Sequence, residues 1–498
     1  MSSKMTRRSF LQKTGAAAIG MTIIPGVAMG KSFSGVTAPS DKLNIVGIGV
    51  GGRGSAVLGG LQSENIIGLC DVDWSYSKGV FDRYPNAKRY KDWRKMYDEL
   101  GKSMDGVMVA TADHTHAITA ANAITMGKHV YCEKPLTHTV YESRLLTKLA
   151  EKYQIATQMG NQGSSGEGVN LVCEWLANGE IGEVTKVEAF TDRPIWPQGL
   201  NRPEPGQWVP STMDWDLFIG PAPMRPYHPL YTPWNWRGWW DFGTGALGDM
   251  ACHILHPVFV GLELGYPTKA QGSSTLLLND CAPSAQMVKL IFPSRAPKRT
   301  WKGMKKSAKL PAVEVVWYDG GMKPMIPEGW PAGQNMNDSG GGVIFHGTKD
   351  KLICGCYGVN PWLLSGRKPN APQFRRRVEN SDHQKDWVRA CKESPETRVK
   401  TASDFSEAGP FNEMVVMGVL AVRLQGLNLE LEWDGPNMRF TNIPDNATIR
   451  TVIEDKFSIK DGHPTFDKIY TDPVNANAFA QELIKHTYHN GWKLPDMP

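Results

Sequence analysis

Side chains able to do chemistry concentrate in a few short stretches of this 498-residue chain. Gly49-Val50-Gly51-Gly52-Arg53-Gly54 is a G-x-G-x-x-G run between an apolar stretch, Leu43–Ile48, and a helix-like segment. Glycines in that context permit a tight turn and close backbone approach to a pyrophosphate. The helix start behind them offers free N–H groups and a positive dipole end to phosphates. Asp71 lies at the spacing where a carboxylate accepts hydrogen bonds from both adenosine ribose hydroxyls. Its charge repels a 2′-phosphate, so NAD is expected over NADP. Glu133 and Lys134 follow another strand-like run, at the strand end where ligands bind in parallel sheets. Partial desolvation beside a nicotinamide favours proton transfer by the lysine, with Glu133 orienting it or touching the nucleotide. Asp249, His253 and His256 fall at i, i+4 and i+7, on one helical face. Such a face could ligate a transition metal, and a helix histidine could equally pack in a core.

A further group of residues has the chemistry of a carbohydrate subsite. Trp196, Trp208, Trp215, Trp234, Trp236, Trp239 and Trp240 crowd one region with Tyr227 and Tyr231. Flat rings stack on the apolar C–H faces of sugars, and they also pack loops onto sheets. Trp196, Trp236 and Trp239 are expected on the substrate side. Arg193 and Arg237 could fork onto hydroxyls or an anomeric substituent. Asn161 and Gln162, after a strand-like run ending at Met159, and Asp113 and His114, after one ending at Thr111, are polar contacts for the same cleft.

Positioning these groups requires a parallel sheet, and the pattern predicts one. Strands are expected at Leu43–Ile48, Ile66–Cys70, Val107–Thr111, His129–Cys132 and Ile155–Met159. Helices are expected at Gly52–Gln62, Trp74–Arg83, Asp92–Leu100, His116–Met126 and Tyr141–Tyr153. This alternation reads as α/β, a Rossmann dinucleotide-binding domain over residues 41–162. Residues 163–440 change character. They hold a helix at Val169–Asn178, strands at Val184–Phe190, Met287–Phe292, Val313–Trp317 and Gly342–Phe345, and a helix from Pro410 to Gln425. An α+β substrate and oligomerisation domain with a large, mostly antiparallel sheet is expected there. Residues 441–498 form a turn-rich C-terminal extension with a final helix near Ala478–His486.

At Asp105–Thr111 with His116, Cys132-Glu133-Lys134-Pro135, and Gly243–His256, the chain resembles the Gfo/Idh/MocA oxidoreductases. The Asp105–His116 stretch is similar to that family's fourth strand and following helix, which places Thr111 and His116 at the nucleotide. Cys132–Pro135 resembles its E-K-P signature, in which the lysine sits beside the nicotinamide and the reacting hydroxyl. Gly243–His256 is similar to its G-G-x-x-x-D-x-x-x-H-x-x-D motif, with His256 where the family has aspartate. By resemblance, Asp249 binds substrate or tunes the pair, and His253 takes or gives the alcohol proton. The resemblance implies an NAD-dependent oxidoreductase acting on a secondary hydroxyl of a sugar, glycoside or polyol. It also implies pairing of subunits through the second-domain sheet. An NAD-dependent glycosidase acting by transient oxidation and elimination is one alternative. A non-catalytic sugar-binding protein on the same fold is another.

The remaining features bound the setting. Thr6-Arg7-Arg8-Ser9-Phe10-Leu11 resembles a twin-arginine export signal, so residues 1–30 read as a signal peptide, 31–40 as a linker, and the location as periplasmic. Export into a compartment poor in free NAD calls for a tightly held cofactor. A net charge of +5 shows no concentrated basic stripe, so nucleic acid is not an expected partner. No internal apolar run is long enough to span a bilayer. Eight cysteines in a chain this large read as buried thiols, not as a disulfide framework.

Overall fold

The structure is a computed structural model that describes residues 41–298, 309–374, 376–378 and 381–498. The twin-arginine-like segment and the linker lie outside the described residues.

Six parallel strands make the first sheet: β1 (Asn44–Ile48), β2 (Asn65–Cys70), β3 (Lys88–Tyr90), β4 (Gly106–Val109), β5 (His129–Cys132) and β6 (Thr157–Met159). Their order, β3-β2-β1-β4-β5-β6, puts the reversal of strand order between β1 and β4, where a crevice opens at the strand ends. Helices α1 (Gly52–Gly60), α2 (Lys78–Arg83), α3 (Trp93–Leu100), α4 (Asp113–Thr125) and α5 (Val140–Tyr153) cover the faces. Local chemistry sets their ends. The Asp92 side chain accepts from the Arg94 amide to start α3, and Thr139 with Glu142 forms a reciprocal capping box on α5. The expected Trp74–Arg83 helix begins only at Lys78. Asp73 Oδ1 accepts from the Ser75 and Tyr76 amides and holds that stretch as a turn. Strand β3 carries no sequence signal, because it is three residues long and largely exposed.

Two glycines explain how the crevice is shaped. Gly49 has φ +72°, and a β-carbon there would stand 2.6 Å from the Ala110 backbone. A β-carbon on Gly54 would lie 2.0 Å from the Gly49 carbonyl, so α1 can approach β1 only with hydrogen at that position.

The second sheet has nine strands in the order β13-β12-β11-β7-β10-β9-β8-β14-β15. They are β7 (Val184–Thr191), β8 (Lys269–Ser274), β9 (Gln286–Phe292), β10 (Val313–Tyr318), β11 (Gly341–Gly347), β12 (Lys351–Gly355), β13 (Trp362–Leu363), β14 (Leu431–Asp434) and β15 (Arg439–Phe440). Only β7 and β10 pair in parallel, so the mostly antiparallel expectation holds. The helices of this half are α6 (Glu167–Ala177), α7 (Trp215–Ile219), α8 (Gly245–Ile254), α9 (His256–Gly261), α10 (His383–Lys392), α11 (Phe405–Arg423) and α12 (Ala476–Ile484). One apolar core runs from the first sheet through α5 and α11 to the second.

Later parts of the chain pack back onto both halves. Helix α10 packs on the nucleotide-domain sheet, with Trp387 fully buried among Ile45, Val57 and Tyr131, so that domain includes residues from far beyond 162. The C-terminal extension carries a final helix at Ala476–Ile484, near the expected place, and packs on the rest of the molecule. Ala476, Ala480, Leu483 and Ile484 are buried in the main core, and a hairpin, Val452–Lys460 with His463–Tyr470, projects from it. All eight cysteines are buried thiols, and none is in a disulfide.

Candidate active site

A cleft of about 350 Å³ crosses the carboxyl ends of the first sheet and is closed over by the second domain. The sheet order lays out its chemistry. Asp71 ends β2 beside the glycine loop, Thr111 follows β4, and Glu133-Lys134 follow β5. Asp71 accepts the Gly51 amide at 3.0 Å and the Asp73 amide at 3.0 Å. Burial raises its carboxyl above the ordinary value, with the hydrogen bonds from Ser77, Asp73 and Gly51 opposing. The first turn of α1 carries no acid. Arg53 spans the cleft floor, its Nε donating to Glu133 Oε1 at 2.9 Å and its Nη2 to Gln162 Oε1 at 3.2 Å. These residues fit a dinucleotide: an acid for ribose, an acid-free helix start for phosphates, and a crevice leading on to an amine.

That amine is at the centre of a buried ion triad. Lys134 Nζ donates to Asp249 Oδ1 at 2.5 Å and to the Asp249 carbonyl at 3.2 Å. Arg237 Nε donates to the same Oδ1 at 2.9 Å. Burial would raise the Asp249 carboxyl, but the charges of Lys134 and Arg237 outweigh it and hold the group below its ordinary range. Arg237 is itself held, its guanidinium lying 4.3 Å from the Trp236 ring centroid and 4.9 Å from that of Trp234. The Lys134–Pro135 bond is cis. His253 stands one turn beyond Asp249 on α8 and lines the same cleft. Burial pushes its imidazole well below 6.5, and the charge of Lys134 adds to the effect. It is therefore a neutral base facing the amine. Its Nδ1 is buried with no partner among the described residues.

Not every residue singled out from sequence reaches the cleft. Helix α8 stops at Ile254 and Pro257 opens α9, so His256 leaves the Asp249–His253 face and packs against Phe411, with Glu407 3.7 Å away. Among the described residues, no group of three or more His, Cys, Asp and Glu is placed to hold a metal. Trp239 is fully buried and donates to the Leu230 carbonyl, a core residue instead of a sugar wall. Trp196 lies behind Trp234 and bonds to Gln198. Arg193 pairs with Asp192 and does not line the cleft. Asn161 is buried and reaches the Cys252 carbonyl. His116 does not line the cleft; its ring nitrogens stand 2.9 Å from the Pro135 carbonyl and 3.1 Å from that of Thr111, bracing the loop that carries Lys134. Val50 and Gly54 contribute packing within the glycine turn. Gly49, Gly51, Gly52, Arg53, Asp71, Thr111, Glu133, Lys134, Gln162, Trp236, Arg237, Asp249 and His253 all line the cleft.

The structure adds residues that sequence reasoning missed. Tyr357 follows β12 with φ +63°, and its ring lies 4.7 Å from His253. Tyr76 covers the glycine loop, and Trp93 and Trp492 line the far end of the cleft. Of the two polar contacts expected after β4, His114 lines the cleft, whereas Asp113 is buried and accepts from the Thr244 amide and hydroxyl, tying the nucleotide domain to the turn before α8.

Burial holds many imidazoles neutral, which gives a testable stability profile. It lowers His114, His116, His129 and His383 to about 4 and His486 to about 3, and drives His138 and His253 well below 6.5. The unfolded chain therefore takes up these protons first as pH falls below about 6.5, and folding is lost in that direction at roughly 1 kcal/mol per imidazole per pH unit. Asp113, Glu142 and Asp319, raised by burial to about 7, work the opposite way over the same window but are fewer. The urea midpoint is expected to fall steadily from pH 7 to pH 4; a midpoint constant or rising over that range would contradict the burial described here.

Comparison with known proteins places the chain among related folds. Residues 42–161 match the NAD-binding Rossmann fold of the GFO/IDH/MocA oxidoreductase family, and residues 179–270 match that family's C-terminal alpha/beta domain. The chain is 24% identical over 148 residues to glucose-6-phosphate 3-dehydrogenase of Bacillus subtilis (strain 168), a match covering 30% of this chain and 41% of that protein. It is 29% identical over 206 residues to glycosyl hydrolase family 109 protein 1 of Shewanella sp. (strain ANA-3), covering 37% of this chain and 45% of that protein. The chain thus spans less than half the length of these curated relatives. An inositol dehydrogenase homologue from Azotobacter vinelandii, solved with NADH and myo-inositol, superposes with a TM-score of 0.52 at 14% identity. That match covers 77% of this chain and 96% of the other, a likeness of fold.

Proposed function

On the premise that the chain belongs to the GFO/IDH/MocA oxidoreductase family, we propose that it is an NAD-dependent oxidoreductase acting on a secondary hydroxyl of a sugar, glycoside or polyol. The observation that carries this reading is the Lys134–Asp249–Arg237 triad with His253 beside it, at the end of a cleft that begins at Asp71. Asp71 and the glycine loop would hold the adenosine ribose and pyrophosphate, and Glu133 with Thr111 would border the nicotinamide half. The nicotinamide, when bound, supplies the hydride acceptor.

The chain's own residues handle the proton. The neutral His253 imidazole accepts the hydroxyl proton, and Lys134 donates a hydrogen bond to the developing alkoxide. Asp249 fixes the direction of the lysine and balances its charge. Arg237, braced on Trp234 and Trp236, orients the other hydroxyls. Enclosure by the second domain keeps water from the reacting carbon. Export as a folded, cofactor-loaded protein belongs to the same reading and rests on the twin-arginine-like residues 6–11.

Two measurements test the reading. Protein purified without added nucleotide and then denatured should release NAD or NADH, and the holoprotein should convert a sugar panel to ketosugars visible by mass spectrometry. Absence of both would sink the proposal. Replacing Asp71 with alanine should weaken NAD binding by roughly 10- to 100-fold, the worth of one charge-assisted hydrogen bond, and narrow the gap to NADP. An unchanged preference in calorimetry would remove Asp71 from the ribose site.

A second reading, redox-neutral cleavage of a glycoside, draws on the glycosyl hydrolase family 109 relatives and on the Tyr357 phenol beside His253. Release of an aglycone without net reduction of NAD would favour it.

A further inference from the structure

Beyond α12, the chain returns to the nucleotide domain and brings Trp492 to the cleft. The Tyr488 phenol donates to Glu142 Oε1 at 2.7 Å, anchoring this segment on α5. The His489 amide donates to the Pro221 carbonyl at 2.9 Å, and the Asn490 side chain donates to the Gly220 and Ala222 carbonyls at 2.9 Å each. Asn490 and Gly491 both take left-handed backbone, with φ +54° and +79°, and the turn they make closes with the Trp492 amide on the His489 carbonyl at 3.0 Å. This construction delivers the Trp492 indole to the start of α3. Its ring centroid lies 5.8 Å from that of Trp93, and the Arg94 guanidinium stands 4.2 Å from its centroid. Arg94 is in turn forked onto Asp92.

The location gives the indole a purpose. Along the strand ends the cleft runs from Lys91, after β3, past Asp71, after β2, to the glycine loop, after β1, and on to Lys134, after β5. A dinucleotide with its ribose on Asp71 and its phosphates at the glycine loop places its purine beyond Asp71, away from Lys134. Lys91, Trp93, Leu217 and Trp492 stand there. We propose that Tyr488–Trp492 is a strap across the adenosine end of the cleft, in which Trp492 forms one wall of the purine slot and retains the dinucleotide between turnovers. The proposal rests on the dinucleotide reading above and deepens it. Aromatic rings bind any base through its π-face and need no hydrogen-bond readout. The stacking contact is lost only as the base leaves, so its effect falls chiefly on dissociation.

Calorimetry and stopped-flow release on the full chain test this with NADH, ADP-ribose and nicotinamide mononucleotide as probes. Trp492→Ala is expected to raise the Kd of NADH and ADP-ribose by about 10- to 100-fold, the range of one base–aromatic stack, chiefly through faster release. Nicotinamide mononucleotide, which has no purine, should bind as to the parent protein. Trp492→Phe should recover most of the loss, and Asn490→Ala, which keeps the indole but cuts its tether, should speed release. Unchanged NADH release in Trp492→Ala, or equal weakening of all three probes, would overturn the strap. Failure of the parent protein to bind either NADH or ADP-ribose would overturn the dinucleotide reading itself, and the strap with it.

Discussion

Lys134→Met is expected to lower kcat on the best sugar substrate by about 10²- to 10³-fold, the span usually lost when one positioned donor to a developing oxyanion is removed. The methionine keeps the packing of the aliphatic stem and removes only the charge and its donors. Asp249 retains Arg237 as a partner at 2.9 Å, so no buried carboxylate is orphaned and the melting temperature should move little. NADH affinity should stay within a few-fold of the parent, because the ribose and phosphate contacts lie elsewhere in the cleft. A loss confined to kcat, with cofactor binding kept, identifies a group that acts in the transition state. A kcat within tenfold of the parent value would remove Lys134 from the chemistry.

The other large effect concerns the carboxylate between the two cations. Asp249→Ala leaves Lys134 and Arg237 facing one another with side chains only 11% and 14% exposed. Removing one partner from a buried ion group typically costs about 3–5 kcal/mol, because the desolvated charge left behind has nothing to balance it. Activity should fall at least as far as in Lys134→Met, since the amine loses both its direction and its counter-charge. The diagnostic is a double variant. Adding Lys134→Met to Asp249→Ala removes one of the two stranded cations, so the pair should be more stable than Asp249→Ala alone by urea unfolding. Additive destabilisation would mean that the triad is not the energetic unit drawn here.

Local signals make much of this molecule legible from its residues alone. The strand–helix alternation over residues 41–162 and the glycine run are short-range features. So is the Asp249–His253 spacing, since residues one turn apart on a helix share a face whatever surrounds them. His256 departs from that face for an equally local reason: the adjacent Pro257 starts a new helix and swings the face away. Composition cannot separate Trp236, which lines the cleft, from Trp239, which fills the core, because both satisfy the same apolar demand. Tyr357, at one end of the cleft, and Trp93 with Trp492, at the other, give no sequence signal because chain segments hundreds of residues apart bring them there. The hairpin Val452–Lys460 with His463–Tyr470 gives none either, because most of its residues are exposed on both faces, which leaves no alternation to read.

The eight buried thiols bear on how the chain matures. Every cysteine is sealed from solvent and outside any disulfide, and burial pushes the groups at Cys70, Cys132, Cys354 and Cys391 above the ordinary thiol value, away from the reactive thiolate. Nothing in the fold waits for an oxidant or for a disulfide shuffle. As far as its thiols are concerned, the folded chain suits a glutathione-rich interior and an oxidising exterior alike.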